Sequence, residues 1–135
     1  GDWKFFNYEL DTVDPAVGGR VGLSDITALA SNQLMVLERD NQSGLQAAIK
    51  RLYKFSIDGI TAEADDGTNR VHFPELNKVL VSDLLNPLKA TGGQVLEKIE
   101  GVSVAPDGSV LIVNDNDGVA RSNGETQLLR LNGLL

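Results

Sequence analysis

An internal repeat limits the folds open to this chain more than any other feature of its sequence. Residues 25–38 can be laid over residues 100–114, with one extra residue in the second turn as the only gap. Each copy has an acidic residue, a short apolar strand, a tight turn, a second apolar strand and a polar cluster. A third strand follows in each copy, at 51–55 and 128–131, and the first copy adds a fourth at 78–83. Up-and-down strands in units of about four are typical of the blades of a β-propeller.

Period-two alternation of apolar and polar residues predicts strands along the whole chain, and no stretch holds helical periodicity for three turns. The predicted strands are 4–9, 26–30, 33–38, 50–57, 71–73, 78–83, 101–105, 110–114 and 127–131. Segment 84–94 is the one region that fits a short helical turn. The sequence therefore predicts an all-β fold, namely a propeller fragment of about two antiparallel blades with a flanking strand.

The repeat also predicts how the chain is organised. We expect one domain, residues 1–135, that forms the carboxy-terminal part of a larger propeller. Its parts are an outer strand and linker at 1–20, a blade at 21–98 and an incomplete blade at 99–135. The second blade ends after three strands, so we expect the ring to be completed by the remaining blades of a parent protein or by further copies of this chain.

A blade cannot shield its own flat faces, which is why blades stack around a closed ring. With two blades alone, we expect apolar pairs such as Leu34 with Val36, or Leu111 with Val113, to be open to water.

Composition excludes several classes of partner and site. The net charge is −7 and the twelve Lys and Arg residues are scattered, which argues against nucleic acid. No apolar run approaches the ~18–20 residues of a membrane span. Cysteine is absent, so disulfides, thiolate metal sites and a cysteine nucleophile are excluded. The first residues lack the basic start and apolar core of a signal peptide, although a removed signal stays possible.

Two acidic residues precede the inner strands of the two copies, Asp25 in the first and Glu100 in the second. Both should lie near the mouth of the central channel. Carboxylates that converge from neighbouring blades can form an oxygen-only site for a hard cation such as Ca²⁺. The alternative is that each carboxylate accepts hydrogen bonds from backbone amides of the adjacent blade.

The polar clusters that follow the second strand of each copy are further candidates. Residues 114–118 are dense in oxygen donors but fail the EF-hand pattern, so Asp115 is a candidate ligand only in a site shared with Glu100. The alternative is a solvated turn with Asx hydrogen bonds. In the first copy, Arg39 either clamps an anionic group or pairs with Glu38 or Asp40.

Histidine chemistry has little support in the sequence. His72 is the only histidine, and the chain has no Gly-x-Ser-x-Gly elbow. A histidine metal cluster is therefore excluded within this chain, and we assign no function to His72.

Two blocks of sequence, 21–29 followed by 34–40 and 99–108 followed by 114–116, resemble the bacterial family called esterase-like activity of phytase, or phytase-like domain. The resemblance covers nearly the whole chain but only the carboxy-terminal part of the family domain. It implies a propeller fold, export to the periplasm or outside the cell, and a phosphoester or ester hydrolase. It also implies Ca²⁺, by similarity to hydrolytic propellers in which the glutamate of a Glu-Gly pair binds metal.

Together these features give two hypotheses. In the first, the parent protein is a secreted, metal-assisted phosphoester hydrolase in which Glu100, Asp115 and Asp25 hold Ca²⁺ and Arg39 steadies the substrate anion. The isolated chain would then be inactive. In the second, the propeller is a non-catalytic binding or scaffold module whose acidic channel is structural.

Overall fold

The fold consists of two antiparallel sheets, seen in a computed structural model that describes residues 3–62, 67, 73–118 and 124–135. The first sheet is formed by β1 (Val21–Ala30), β2 (Gln33–Asp40), β3 (Lys50–Ser56) and β4 (Val79–Asp83). The second is formed by β5 (Ile99–Val104), β6 (Val110–Asn114) and β7 (Leu128–Leu131). Neighbours in each sheet are consecutive in sequence, and both sheets are open. This all-β, up-and-down architecture confirms the predicted fold class and is consistent with a propeller fragment.

The connection between the sheets contains the helical turn that the sequence predicted. It is the short helix α1 (Leu85–Ala90), and its Leu88 is buried in the core. No helix among the described residues is long and apolar enough to cross a membrane. Most of the predicted strand at 71–73 lies outside the described residues, as does His72.

The predicted strand at 4–9 was wrong. Residues 3–12 form an extended segment, here called the strap, in which Asn7 makes an isolated parallel bridge to Glu75. The alternation that suggested a strand has another cause: Tyr8 turns inward and meets the ring of Phe55 edge-on, with 5.9 Å between the ring centroids. Tyr8 is one of the residues that anchor the strap without a continuous ladder.

The main core lies between the two sheets. On the first sheet it contains Met35, Leu37 and Leu52, and on the second it contains Val110 and Ile112. One face of the first sheet thus packs against one face of the second, as adjacent propeller blades do.

The outward faces of the two sheets differ from each other. Val36 is only 1% exposed, because Tyr8 of the strap and Leu76 cover it together with Phe55. The expectation that Leu34 and Val36 would be open to water was therefore wrong for Val36, since the strap takes the place of a preceding blade. Val113 of the second sheet is 36% exposed, as expected for an uncovered face.

Strand register corrects one detail of the repeat. Ser24 in β1 and Glu100 in β5 are the residues that bulge out of the two ladders. Ser24, rather than Asp25, is therefore the structural counterpart of Glu100. The alignment was off by one because β1 has a second irregularity, between Ala28 and Ala30, that adds a residue.

Candidate functional site

The predicted anion contact, Arg39, lies where β2 meets the second sheet. We call this place the blade joint; its polar residues are Ser24, Asp25, Arg39, Glu97 and Glu100. Its Nε donates to Ser24 Oγ at 2.8 Å, and one terminal nitrogen donates to the Glu100 carboxylate. The other terminal nitrogen lies 3.8 Å from Glu97 Oε1. The Arg39 side chain is 16% exposed. The two residues given separate roles from sequence, Arg39 and Glu100, therefore form an ion pair that links the sheets.

Asp25 lies in the same joint and contacts backbone amides. Its Oδ1 accepts from the Ile26 amide at 2.8 Å, and its Oδ2 accepts from the Val102 amide of β5 at 2.7 Å. This is the second of the two arrangements considered for Asp25, in which the carboxylate binds the adjacent sheet.

Asp115 is part of a turn beyond β6. Its Oδ1 accepts from the Asp117 amide at 2.9 Å, which is an Asx turn, and its Oδ2 lies 4.0 Å from Lys98 Nζ. Lys98 also pairs with the carboxylate of Asp117. One lysine thus faces two carboxylates in this turn, so it offsets only one of their two negative charges.

A calcium site does not follow from this geometry. Within the described ranges, no three His, Cys, Asp or Glu side chains lie close enough to share a metal ion. Arg39 and Glu100 come together and Asp25 lies in the same joint, but Asp25, Glu100 and Asp115 do not converge. As arranged in this structure, the three predicted ligands do not fit a Ca²⁺ ion.

A second polar cluster, which the sequence analysis missed, fixes the strap to the first sheet. This strap cluster consists of Tyr8, Asp11, Glu38, Arg51, Tyr53 and Lys78. At its base Glu38 is fully buried and accepts three hydrogen bonds. The donors are the Tyr8 hydroxyl at 2.8 Å, the Asp11 amide at 2.6 Å and Lys78 Nζ at 3.0 Å.

Asp11 is the central anion of the strap cluster. Its Oδ2 accepts from Arg51 at 2.5 Å and from the Tyr53 hydroxyl at 2.6 Å, and its Oδ1 accepts from Lys78 Nζ at 2.7 Å. Partial burial alone would raise the pKa of Asp11. The hydrogen bonds from Lys78, Tyr53 and Arg51 outweigh that effect and lower the pKa to about 2.

The two tyrosine rings of the cluster also contact the ammonium group of Lys78. Lys78 Nζ lies 4.2 Å from the centre of the Tyr53 ring and 5.0 Å from that of Tyr8, within range for cation–π attraction. Burial raises the pKa of Tyr8, and its hydrogen bond to Glu38 raises it further. Tyr8 therefore stays protonated and acts as a donor rather than as a base.

An open pocket of about 430 Å³ lies above the strap cluster. Its lining residues are Glu9, Leu10, Asp11, Thr12, Arg51 and Lys78. Asp11, Arg51 and Lys78 in this wall pair with one another, and these contacts hold the strap against the first sheet. Sequence reasoning missed the cluster because its members come from four separate stretches of chain that only folding brings together.

Comparison with known proteins adds the family. A sequence model described as Phytase-like, esterase-like activity of phytase, matches residues 1–118. These residues include the strap, β1 to β6, the blade joint and the strap cluster. No curated protein and no solved structure matches the chain. The family match covers well over half of the sequence and confirms the resemblance carried by its two blocks. The chain therefore belongs to the Phytase-like family, esterase-like activity of phytase.

Proposed function

We propose that this chain is part of a secreted hydrolase, in the periplasm or outside the cell, that cleaves phosphoesters or related esters. The observation that carries this proposal is the family match over residues 1–118. The open sheets agree with it, since they fit part of a propeller. The further assignments below concern the assembled protein.

Arg39 is the proposed contact for the substrate anion. A guanidinium group presents a planar set of donors that matches the oxygens of a phosphate. In the structure its partners are the Ser24 hydroxyl and the Glu100 carboxylate. A phosphate that reaches Arg39 must therefore compete with Glu100.

Calcium is proposed only for the assembled protein. Glu100, Asp115 and Asp25 remain the proposed ligands, but they do not converge among the residues described. A calcium ion would thus require a rearrangement of these side chains and further oxygens from elsewhere. No catalytic step is assigned to it.

The test is an ester hydrolysis assay on the full-length polypeptide that carries this chain. We expect hydrolysis of p-nitrophenyl phosphate, and we expect Arg39→Gln to lower kcat/KM by at least roughly tenfold, since a charge-assisted contact to the substrate is lost. Lys54→Gln, which also removes a positive charge but at an exposed position outside both clusters, is the matched control. Equal kcat/KM for Arg39→Gln and the control would remove Arg39 from the proposed site.

A non-catalytic binding or scaffold module is the second candidate, and a specific observation favours it. Arg39, Glu100 and Asp25 all have partners within the protein that explain their presence structurally. This candidate predicts no hydrolysis of phosphate or acetate esters, no bound calcium in elemental analysis and no effect of chelator on Tm. Calcium-dependent turnover would exclude it.

The exposed face of the second sheet suggests how the protein is completed. Val113 and Leu128 are paired across β6 and β7, so their side chains share one face, and Leu128 is 69% exposed. We propose that a further blade, or another copy of this chain, covers this face. If copies do so, light scattering should give a mass above that of the monomer, and Leu128→Lys should restore the monomer. If light scattering gives the monomer mass both with and without this change, the face is not covered by another copy, and a further blade is the partner that we propose.

A further inference from the structure

Lys50, the first residue of β3, is a fully buried charge outside the two clusters described above. Its side chain is 0% exposed, and so is that of Asp40, its ion-pair partner. Lys50 Nζ lies 2.7 Å from Asp40 Oδ1 and 2.8 Å from the Asp40 carbonyl oxygen. It also lies 2.9 Å from the Gln42 carbonyl oxygen and 3.0 Å from the Glu97 carbonyl oxygen. Four oxygens thus surround one ammonium group and share its three N–H donors; we call these oxygens the oxygen cage.

The oxygen cage joins the end of β2 to the connection that leads into the second sheet. Asp40 ends β2 and Gln42 lies in the loop after it, whereas Glu97 lies in the connection that leads into β5. Glu97 is also the acid beside Arg39, so the cage adjoins the ion pair of the blade joint. A cation at its centre therefore holds the first sheet to the segment that positions the second.

The oxygens of the cage are arranged for a positive charge. Asp40 Oδ2 accepts from the backbone amides of Ala48 and Ile49, at 2.7 and 2.9 Å, which fixes the carboxylate with Oδ1 toward the cage. Burial alone would raise the pKa of Asp40, but the hydrogen bonds from Lys50 and these amides lower it. Burial lowers the pKa of Lys50, while Asp40 favours its charged form. Without a cation, one buried carboxylate and three carbonyl oxygens would face one another.

We propose that this cage is the cation site of the blade joint, and that its resident cation is the tethered ammonium group of Lys50 in place of a metal ion. The inference is independent of the proposed hydrolysis. It also accounts for a difference from the sequence expectation: oxygens from both sides of the joint do converge on a cation, but at Lys50 rather than at Asp25, Glu100 and Asp115.

Replacement of the tethered cation by a free one tests the proposal directly. Lys50→Ala leaves Asp40 buried without its partner, so Tm should fall by roughly 10 °C or more. The atoms removed correspond to n-propylammonium. This ion should raise the Tm of the variant by several degrees and leave the Tm of the unsubstituted chain unchanged. Tetramethylammonium at the same concentration has no N–H donors and should have no such effect. An equal change in Tm with the two ions, or a variant as stable as the unsubstituted chain, would overturn the proposal.

A second measurement needs no variant and applies even if Lys50→Ala does not fold. In the native chain, an amine-acylating reagent should modify the exposed Lys54 and Lys89 at least about a hundredfold faster than Lys50, as read by peptide mass spectrometry. In urea the three rates should become similar. Native modification of Lys50 at the rate of Lys54 would show that its ammonium group is not held in the cage.

Discussion

Arg39 of β2 donates a hydrogen bond to Glu100 of β5, and this ion pair crosses the joint between the two sheets. Each residue was a separate functional candidate in the sequence. Their contact explains why both can be needed for the fold, and it means that substrate or metal binding at either one competes with a bond already formed. The proposals for this site can therefore be tested through stability as well as through activity.

The Arg39–Glu100 pair should show energetic coupling. Arg39→Met and Glu100→Gln should each lower the free energy of unfolding by ~1 kcal/mol, since both side chains are partly buried. In a double-mutant cycle by urea unfolding, the double variant should lose less than the sum, by about 0.5 kcal/mol or more. Lys54→Met, at an exposed position of β3, should be nearly neutral. Strict additivity would mean that the contact contributes nothing to stability.

Asp25 should act through its hydrogen bond to the Val102 amide. Asp25→Ala removes the acceptor and should lower the free energy of unfolding by about 1–3 kcal/mol. Asp25→Asn keeps a carbonyl oxygen for only one of the two backbone amides that the carboxylate binds, so it should lose less stability than Asp25→Ala without matching the unsubstituted chain. The comparison should give the same result with and without calcium. If instead the loss in Asp25→Asn appeared only in the presence of calcium, Asp25 would be a metal ligand in the folded chain.

The strap cluster should make stability depend on acid pH. The pKa of Asp11 is about 2 in the folded chain and 3.8 ordinarily, so the unfolded chain binds the proton more readily. Stability from Asp11 is therefore complete above pH about 4 and is lost as the pH falls from there toward 2. We expect this loss to be on the order of 1–2 kcal/mol after solvent screening.

The measurement is urea unfolding of the unsubstituted chain and of Asp11→Asn at several pH values between 2 and 7. The variant should be less stable than the unsubstituted chain at neutral pH. The difference in free energy of unfolding should shrink toward pH 2, because Asp11 of the unsubstituted chain becomes protonated there. A difference that does not change with pH would contradict the predicted role of Asp11.

Gly101 should be required by the close approach of a neighbouring side chain. A Cβ atom at this position would collide with Cγ1 of Val113, which lies opposite it on β6. Gly101→Ala should therefore lower the free energy of unfolding by about 1–3 kcal/mol. Val113→Ala in the same chain should recover part of that loss. Failure of the second change to help would contradict this explanation, because Gly101 has no positive φ that would itself require glycine.

Much of the fold could be predicted because it depends on local patterns. The hairpin strand at Val110–Asn114 was predicted with its exact bounds, and the helical turn was placed within its correct segment. The strap was interpreted wrongly because alternation reports which side chains turn inward, not whether a neighbouring strand is present. The alignment of Asp25 with Glu100 was wrong because a bulge shifts register without any mark in the residue pattern.

The candidate site was only partly predictable. The repeat drew attention to Arg39, Glu100 and Asp25, which the structure places at one joint. It did not reveal that Arg39 would bind Glu100, or that Lys50 would be buried among four oxygens. A lysine at the start of a strand looks like any surface lysine until its neighbours are known.

The sequence by itself determined the all-β class, the repeated strand unit and the family, because these depend on periodicity and on residues close together in the chain. Only the tertiary structure decided which charges are partners. Asp11 meets Lys78, and Lys50 meets the carbonyl of Glu97, across separations of 67 and 47 residues. Such pairings depend on burial and on distances in space, which the order of residues along the chain does not specify.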